Sequence, residues 1–157
     1  YQIYQGGYLT LAPSEPAPAR LVHFLDLEIY QGPFGLAHRL FDKRREPCFR
    51  SIPLVRFPHV HSIMPDRFRY GIVQSQIIRF RSICMELVDF IAESARLLAI
   101  LHSNKGYSIR RLLLLLRRSL HRFPSLFGSR SSEGVYISIR DVVRRHIMAG
   151  DFLYSCV

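Results

Sequence analysis

The stretch FPHVHSIMPDRFRYGIVQSQIIRFR, Phe57–Arg81, is where the chain changes character. Before it, short runs of alternating apolar and polar residues are broken by Gly and Pro, the pattern of strands and turns. After it, apolar residues recur every three to four positions, the pattern of helices on a core. Charge changes at the same place. Residues 1–66 carry 7 Lys+Arg against 6 Asp+Glu, and residues 67–157 carry 15 against 6. The expected fold is α+β: a small antiparallel β-hairpin or sheet in residues 1–57, then a basic helical bundle with a helix-turn-helix in residues 67–150. Three parts follow from this. Residues 1–66 are β-rich with a Pro-rich linker at 13–18. Residues 67–123 are a basic helical domain. Residues 124–157 are a Ser/Gly linker, a terminal helix and an apolar tail.

A chain of 157 residues can bury a real core, and 48% hydrophobic residues can fill it. The longest apolar runs, such as Leu112–Leu116, are far too short to span a bilayer. No basic–apolar–small pattern marks a signal peptide. The start at Tyr1 rather than Met fits a processed product or a piece of a longer chain. Cys48, Cys84 and Cys156 lie far apart, are odd in number and form no CxxC. That argues against a disulfide framework and a cysteine zinc site. A reducing intracellular compartment is the simple inference, with mitochondrion and nucleus both open.

Tyr1–Ala12 reads as strand, Gly6-Gly7 turn and strand. Pro13, Pro16 and Pro18 make an exposed linker. Leu21–Tyr30 is the clearest strand, with Phe24, Asp26 and Glu28 on one face and Leu25, Leu27 and Ile29 on the other. Gln31–Gly35 is a turn, and Leu36–Asp42 is the partner strand. Phe49–Phe57, broken by Pro53, is an irregular edge strand. Asp26 and Glu28 would suit Mg²⁺ as paired carboxylates. They lack a third acidic ligand, so an exposed strand face is preferred. His59 and His61 would suit a metal only with further ligands nearby; loop residues that cap or touch phosphate are preferred. No metal or cofactor is expected.

Asp66 is a candidate N-cap for a helix over about Arg69–Cys84. Its apolar face is Ile72, Gln76, Ile77, Phe80 and Ile83. A second helix, about Met85–Ser103, carries the stripe Leu87, Phe90, Ile91, Leu97, Leu98 and Leu101. Gly106 is its natural C′ residue. Ser108 caps a third, Ile109–Phe123, which Pro124 stops. Helix, short Gly turn, helix is the form of a helix-turn-helix. Arg110, Arg117 and His121 make one row on the third helix; Arg111, Arg118 and Arg122 make another. Ser125–Gly134 reads as a linker. A last helix begins near Ser138, with Ser138 and Asp141 as a variant capping box, and ends near Gly150. Phe152–Val157 is an apolar tail that needs a surface, its own core or a partner.

Only Lys43 and Lys105 are lysines; the other 20 basic residues are arginines, and net charge is +10. The arginine fork fits phosphate bidentately and stacks on bases, so a basic half of this kind suits a nucleic-acid backbone. The bland alternatives are a solvated basic face, a genome rich in Arg codons, or a membrane-surface or partner-binding amphipathic helix. Recurrence of the charge excess in neighbouring helices favours nucleic acid. Candidate contacts are Arg67, Arg69, Arg79, Arg81, Arg110, Arg111, Arg117, Arg118, Arg122, Arg144 and Arg145. Tyr70 and Tyr107 are candidate stacking residues. No nucleophile–base pair, metal cluster or phosphate-binding Gly loop stands out, so no enzyme is expected. The third helix lacks the Asn or Gln useful for reading adenine, which speaks against an operator-reading regulator.

Several segments, in order, resemble the region downstream of the catalytic palm in retroelement-type reverse transcriptases, Penelope-like and related. They are FLDLEI (Phe24–Ile29), RLFDKR (Arg39–Arg44), FPHVHSIMP (Phe57–Pro65), YGIVQSQIIRFRSIC (Tyr70–Cys84) and NKGYSIRRL (Asn104–Leu112). The resemblance spans residues 20–123, and its most specific part is the YG…SQ…R…R..C string. It implies the end of a palm sheet followed by a helix-turn-helix-like segment that helps hold primer–template or RNA. The polymerase's YxDD-type turn is absent. Met85 follows Cys84 where the family usually shows one more polar residue, and nothing after Pro124 matches. The implied function is non-catalytic binding of RNA or an RNA–DNA hybrid. The alternative is a structural subunit of a large ribonucleoprotein such as an organellar (mitochondrial) ribosome, with rRNA and other proteins as partners. Extended Pro-rich and Ser-rich segments suit that role.

Overall fold

The computed structural model describes residues 21–32, 35–42, 57–127 and 131–149. Strands β1 (Leu21–Phe24), β2 (Leu27–Gly32) and β3 (Gly35–Leu40) pair antiparallel in chain order. Val22 opposes Ile29 across the first pair, and Tyr30 opposes Ala37 across the second. The single strand expected over Leu21–Tyr30 is therefore a hairpin. Its two-residue turn is Leu25–Asp26, and Leu25 takes a positive φ of 55°. Tight hairpin turns need that conformation, normally from Gly or Asn, and Leu25 does not advertise it. The split also separates the expected carboxylate face: Asp26 is in the turn and Glu28 is in β2. The readings of Tyr1–Ala12, the Pro-rich linker, most of Phe49–Phe57 and the Phe152–Val157 tail lie outside the described residues.

Four α-helices follow among the described residues: α1 (Asp66–Ile83), α2 (Leu87–Ser103), α3 (Ile109–Arg122) and α4 (Ser132–Ala149). A 3₁₀ turn at Pro124–Phe127 joins the last two. Each helix packs mainly on two others, in the cyclic order α1–α2–α4–α3. The whole is a small α+β fold.

In α1 the buried stripe is Tyr70, Val73, Ile77 and Phe80. It is rotated from the expected face, and Ile72, Gln76 and Ile83 are half-buried flanks. The helix starts at Asp66, whose predecessor Pro65 is the N-cap residue with no side-chain cap bond. Asp66 is thus the first helical residue rather than the cap. In α2, Phe90, Leu97, Leu98 and Leu101 are buried as the stripe requires. Gly106 sits at φ 73°, and its N–H donates to the His102 carbonyl at 3.2 Å. This is a left-handed helix stop that a side chain would strain. The helix, Gly turn, helix order is present in α2 and α3, although α3 lies mainly between α1 and α4. In α3, Leu112, Leu116 and Leu120 are buried, and Ser108 stands at the N-cap without a side-chain cap bond.

The last helix starts at Ser132, well before the expected Ser138. The Ser131 hydroxyl accepts the Gly134 N–H at 3.1 Å, the bond of a Ser N-cap to the third helical residue. A stretch that looked like a linker therefore contains a cap. Ser138 lies inside the helix, its hydroxyl donating to the Gly134 carbonyl at 3.0 Å.

The sheet docks on the corner between α1 and α2. Leu40 joins the core formed by Phe80, Cys84 and Phe90. The Met85 N–H donates to the His38 carbonyl at 2.9 Å. His38 Nδ1 lies 2.6 Å from the Ile83 carbonyl, and since a carbonyl only accepts, Nδ1 carries the proton. Burying each large apolar side chain stabilises by roughly 1.5–3 kcal/mol, so the core dominates over these single bonds. No helix among the described residues is long and apolar enough to cross a membrane.

Candidate nucleic-acid interface

Where α1 and α3 lie side by side, their outer edge opens into a groove of about 350 Å³. Arg67, Tyr70 and Gln74 line it from α1; Arg111, Arg118 and Arg122 line it from α3. The α3 arginines are two turns and then one turn apart, which sets them in one line on a helix of 3.6 residues per turn. Of the two rows legible on α3, this row forms the groove. Asp66 is the acid at its mouth.

Arg111 is the most constrained of the four arginines. Its guanidinium carbon lies 3.8 Å from the centroid of the Tyr70 ring. Its Nη1 donates to Asp66 Oδ2 at 2.9 Å, and Arg69 donates to the other Asp66 oxygen. The hydrogen bonds from Arg111 and then Arg69 hold the Asp66 carboxyl below the usual carboxylate range. The bond to Asp66 in turn raises Arg111. Arg67 lies over the Phe68 ring at 4.8 Å and Arg122 over Phe123 at 5.7 Å. Arg118 is exposed and carries no ion pair among the described residues.

Both tyrosines expected as stacking residues are buried. Tyr107 is 1% exposed, its ring meets Tyr70 edge-on at 5.1 Å, and its hydroxyl donates to the Pro58 carbonyl at 3.1 Å. Burial pushes its phenol up. Tyr70 is itself buried beneath Arg111. A base needs an open ring face to stack on, and neither ring offers one. Tyr70 lies under Arg111, and Tyr107 packs against Tyr70.

Three expected arginine contacts are also committed within the chain. Arg69 is largely buried, bound to Asp66 and 3.4 Å from the Ser62 carbonyl. Arg79 pairs with Asp26 in the β1–β2 turn. Arg81 Nη1 donates to the Cys84 carbonyl at 2.8 Å, capping the end of α1. The other α3 row looks toward α4: Arg117 Nε lies 3.1 Å and His121 Nε2 3.3 Å from Glu133 Oε2. Arg110, Arg144 and Arg145 are exposed, without ion pairs among the described residues, and do not line the groove.

Sequence reasoning missed Asp66 as a groove residue and Gln74 altogether. Gln74 follows Arg67 by two turns, a signal that becomes readable only once the buried face of α1 is known. Glu28, offered as a metal ligand, is taken by Arg39. The His59 and His61 rings lie 5.2 Å apart in the loop before α1. Among the described residues, no group of three or more His, Cys, Asp or Glu is placed to hold a metal ion.

No protein-family model, curated protein or solved structure matches the chain, so the groove itself carries the functional reading.

Proposed function

We propose that this chain is a non-catalytic RNA-binding protein that grips the phosphate backbone along the α1–α3 groove. The observation that carries this reading is the convergence of Arg67, Arg111, Arg118 and Arg122 on one groove. Guanidinium forks match phosphate oxygens in bidentate pairs. A line of them meets successive phosphates without reading bases. Gln74 is the one side-chain amide in the lining, which fits weak sequence preference. The likeness of Tyr70–Cys84 and Asn104–Leu112 to the post-palm region of reverse transcriptases supports RNA or an RNA–DNA hybrid as the ligand. The expected setting is intracellular, in the mitochondrion or nucleus.

A second reading is a structural subunit of a large ribonucleoprotein such as a mitochondrial ribosome. The apolar side chains Ile63, Phe68, Val88 and Met148, all exposed, favour it, since a protein neighbour would cover them.

The test is anisotropy of a labelled single-stranded RNA with the full chain across a NaCl series. Four phosphate contacts predict a log–log slope of about −3. Reversing Arg118 and Arg122 to Glu abolishes binding, while reversing Arg144 and Arg145 weakens it far less. A flat salt response, or equal losses from both pairs, overturns the groove. Purification of the native particle separates the two readings. Retention with rRNA and proteins after a salt wash marks a structural subunit; release as a small species that rebinds RNA marks a free binding protein.

A further inference from the structure

Asp66 is the odd member of the groove, an acid set among arginines. We propose that the Asp66 carboxylate occupies the seat of a backbone phosphate, and that a bound RNA strand evicts it. This rests on the RNA-binding reading of the groove and adds the identity of one phosphate seat and its internal competitor.

Two guanidinia converge on this one anion: Arg111 Nη1 at 2.9 Å from Oδ2, and Arg69 on Oδ1. Both cations are held by something other than the carboxylate. Arg111 rests on Tyr70, which rests edge-on against Tyr107, which is tied to the Pro58 carbonyl. Arg69 reaches the Ser62 carbonyl at 3.4 Å. Removing the carboxylate therefore leaves both forks close to where they were, which is the property of a preformed anion site. A phosphate offers two unshared oxygens to such forks much as a carboxylate does.

The seat is also accessible. The Asp66 side chain is 49% exposed and that of Arg111 is 48% exposed. Asp66 is the first residue of α1, so its side chain can turn into water without unwinding a helix. An ion pair this open is weak, so a strand that also engages Arg118 and Arg122 outcompetes it. A lone small anion has no such second hold. The arrangement makes the groove selective for polyanions over the free phosphate and carboxylate metabolites around it.

The test uses the full chain and the same labelled single-stranded RNA. Asp66→Asn is compared with Asp141→Asn, which removes an equal charge at an exposed site on α4. Eviction predicts about three- to fivefold tighter binding for Asp66→Asn and less than about twofold for Asp141→Asn. Equal gains mean that net charge alone acts, and overturn the proposal. A second measurement needs no substitution: the Asp66 carboxyl is titrated by carbon NMR with and without saturating RNA. Loss of Arg111 to a phosphate moves its midpoint up from its depressed value in the free chain. An unmoved midpoint under saturating RNA overturns eviction while leaving the groove's RNA binding intact. If the unmodified chain binds no RNA at all, the groove reading falls and the eviction falls with it.

Discussion

Tyr30 and Asp89, separated by 59 positions in the chain, are joined by a hydrogen bond of 3.1 Å from the phenol to the carboxylate. Arg39 completes the cluster, its guanidinium 5.0 Å from the Tyr30 centroid and 4.0 Å from Asp89. These three residues fasten β2 and β3 to the first turn of α2. Tyr30→Phe keeps the ring and removes the donor. The expected cost is about 1 kcal/mol, seen as a lower urea midpoint with an unchanged slope, and RNA affinity stays as it was.

Cys84 ends α1 in a fully buried position, and burial pushes its thiol up to about 11 from the ordinary 9.0. The folded value lies above the unfolded one, so the neutral thiol's contribution is complete below pH 9. It is lost as pH climbs from 9 toward 11. Tyr30 and Tyr107, both raised by burial, act in the same direction at higher pH. Thermal melts across this range are expected to fall, and to fall less steeply in Cys84→Ala. In the native chain at pH 8 the Cys84 peptide stays unalkylated by iodoacetamide, because the thiol is both buried and protonated. Rapid labelling there would contradict the packing.

Leu25 holds a positive φ at a position that is 75% exposed. An L-residue in that conformation costs roughly 1–2 kcal/mol, while introducing Gly into the unfolded chain costs roughly 0.5–1. Leu25→Gly is therefore expected to stabilise by about 0.5–1 kcal/mol. A rise in the urea midpoint checks it.

Arg111 and Tyr70 divide one task between them, charge and position. Arg111→Gln is expected to weaken RNA binding and reduce the salt slope by about 0.7, the share of one phosphate on a single strand. Tyr70→Leu preserves the charge but loses the ring beneath it, a contact of roughly 0.5–1 kcal/mol at an exposed site. Binding then weakens by about fivefold or less with the slope unchanged. Anisotropy over a NaCl series reads both quantities.

The helices were largely legible in the sequence because local rules place them. The bounds of α2 and α3 fall within a residue or two of those read from Leu87–Leu101, Gly106 and Pro124. The errors came where a local cue pointed the wrong way. Leu25 takes the positive φ where Gly or Asn is usual, and a single Asp26 beside it is a weak turn cue, so the hairpin between β1 and β2 is hard to read. Ser125–Gly134 reads as a linker, yet the Gly134 N–H donates to the Ser131 cap at the start of α4. On α1, Ile72 and Ile83 suggested a face that tertiary packing rotated toward Tyr70 and Val73. The site was half legible. The row Arg111, Arg118 and Arg122 follows from helical spacing, as does the Asp66–Arg69 pair three residues apart, but the partner of Arg79 does not. Asp26 reaches Arg79 across 53 residues, and only the folded chain brings them together.

Helix α1 is 18 residues long, about 27 Å at 1.5 Å per residue. Its first half walls the groove with Arg67, Tyr70 and Gln74, and its last half carries Arg79, Phe80 and Ile83 beneath the sheet. One rod thus serves two assemblies, and no seam between them can be cut without stripping a wall from each. A protease or a premature stop that removes either end leaves an unmatched apolar face rather than a smaller working protein. Sheet and bundle are accordingly expected to melt together in a single transition, and partial digestion to yield intact chain and short peptides with no stable half between.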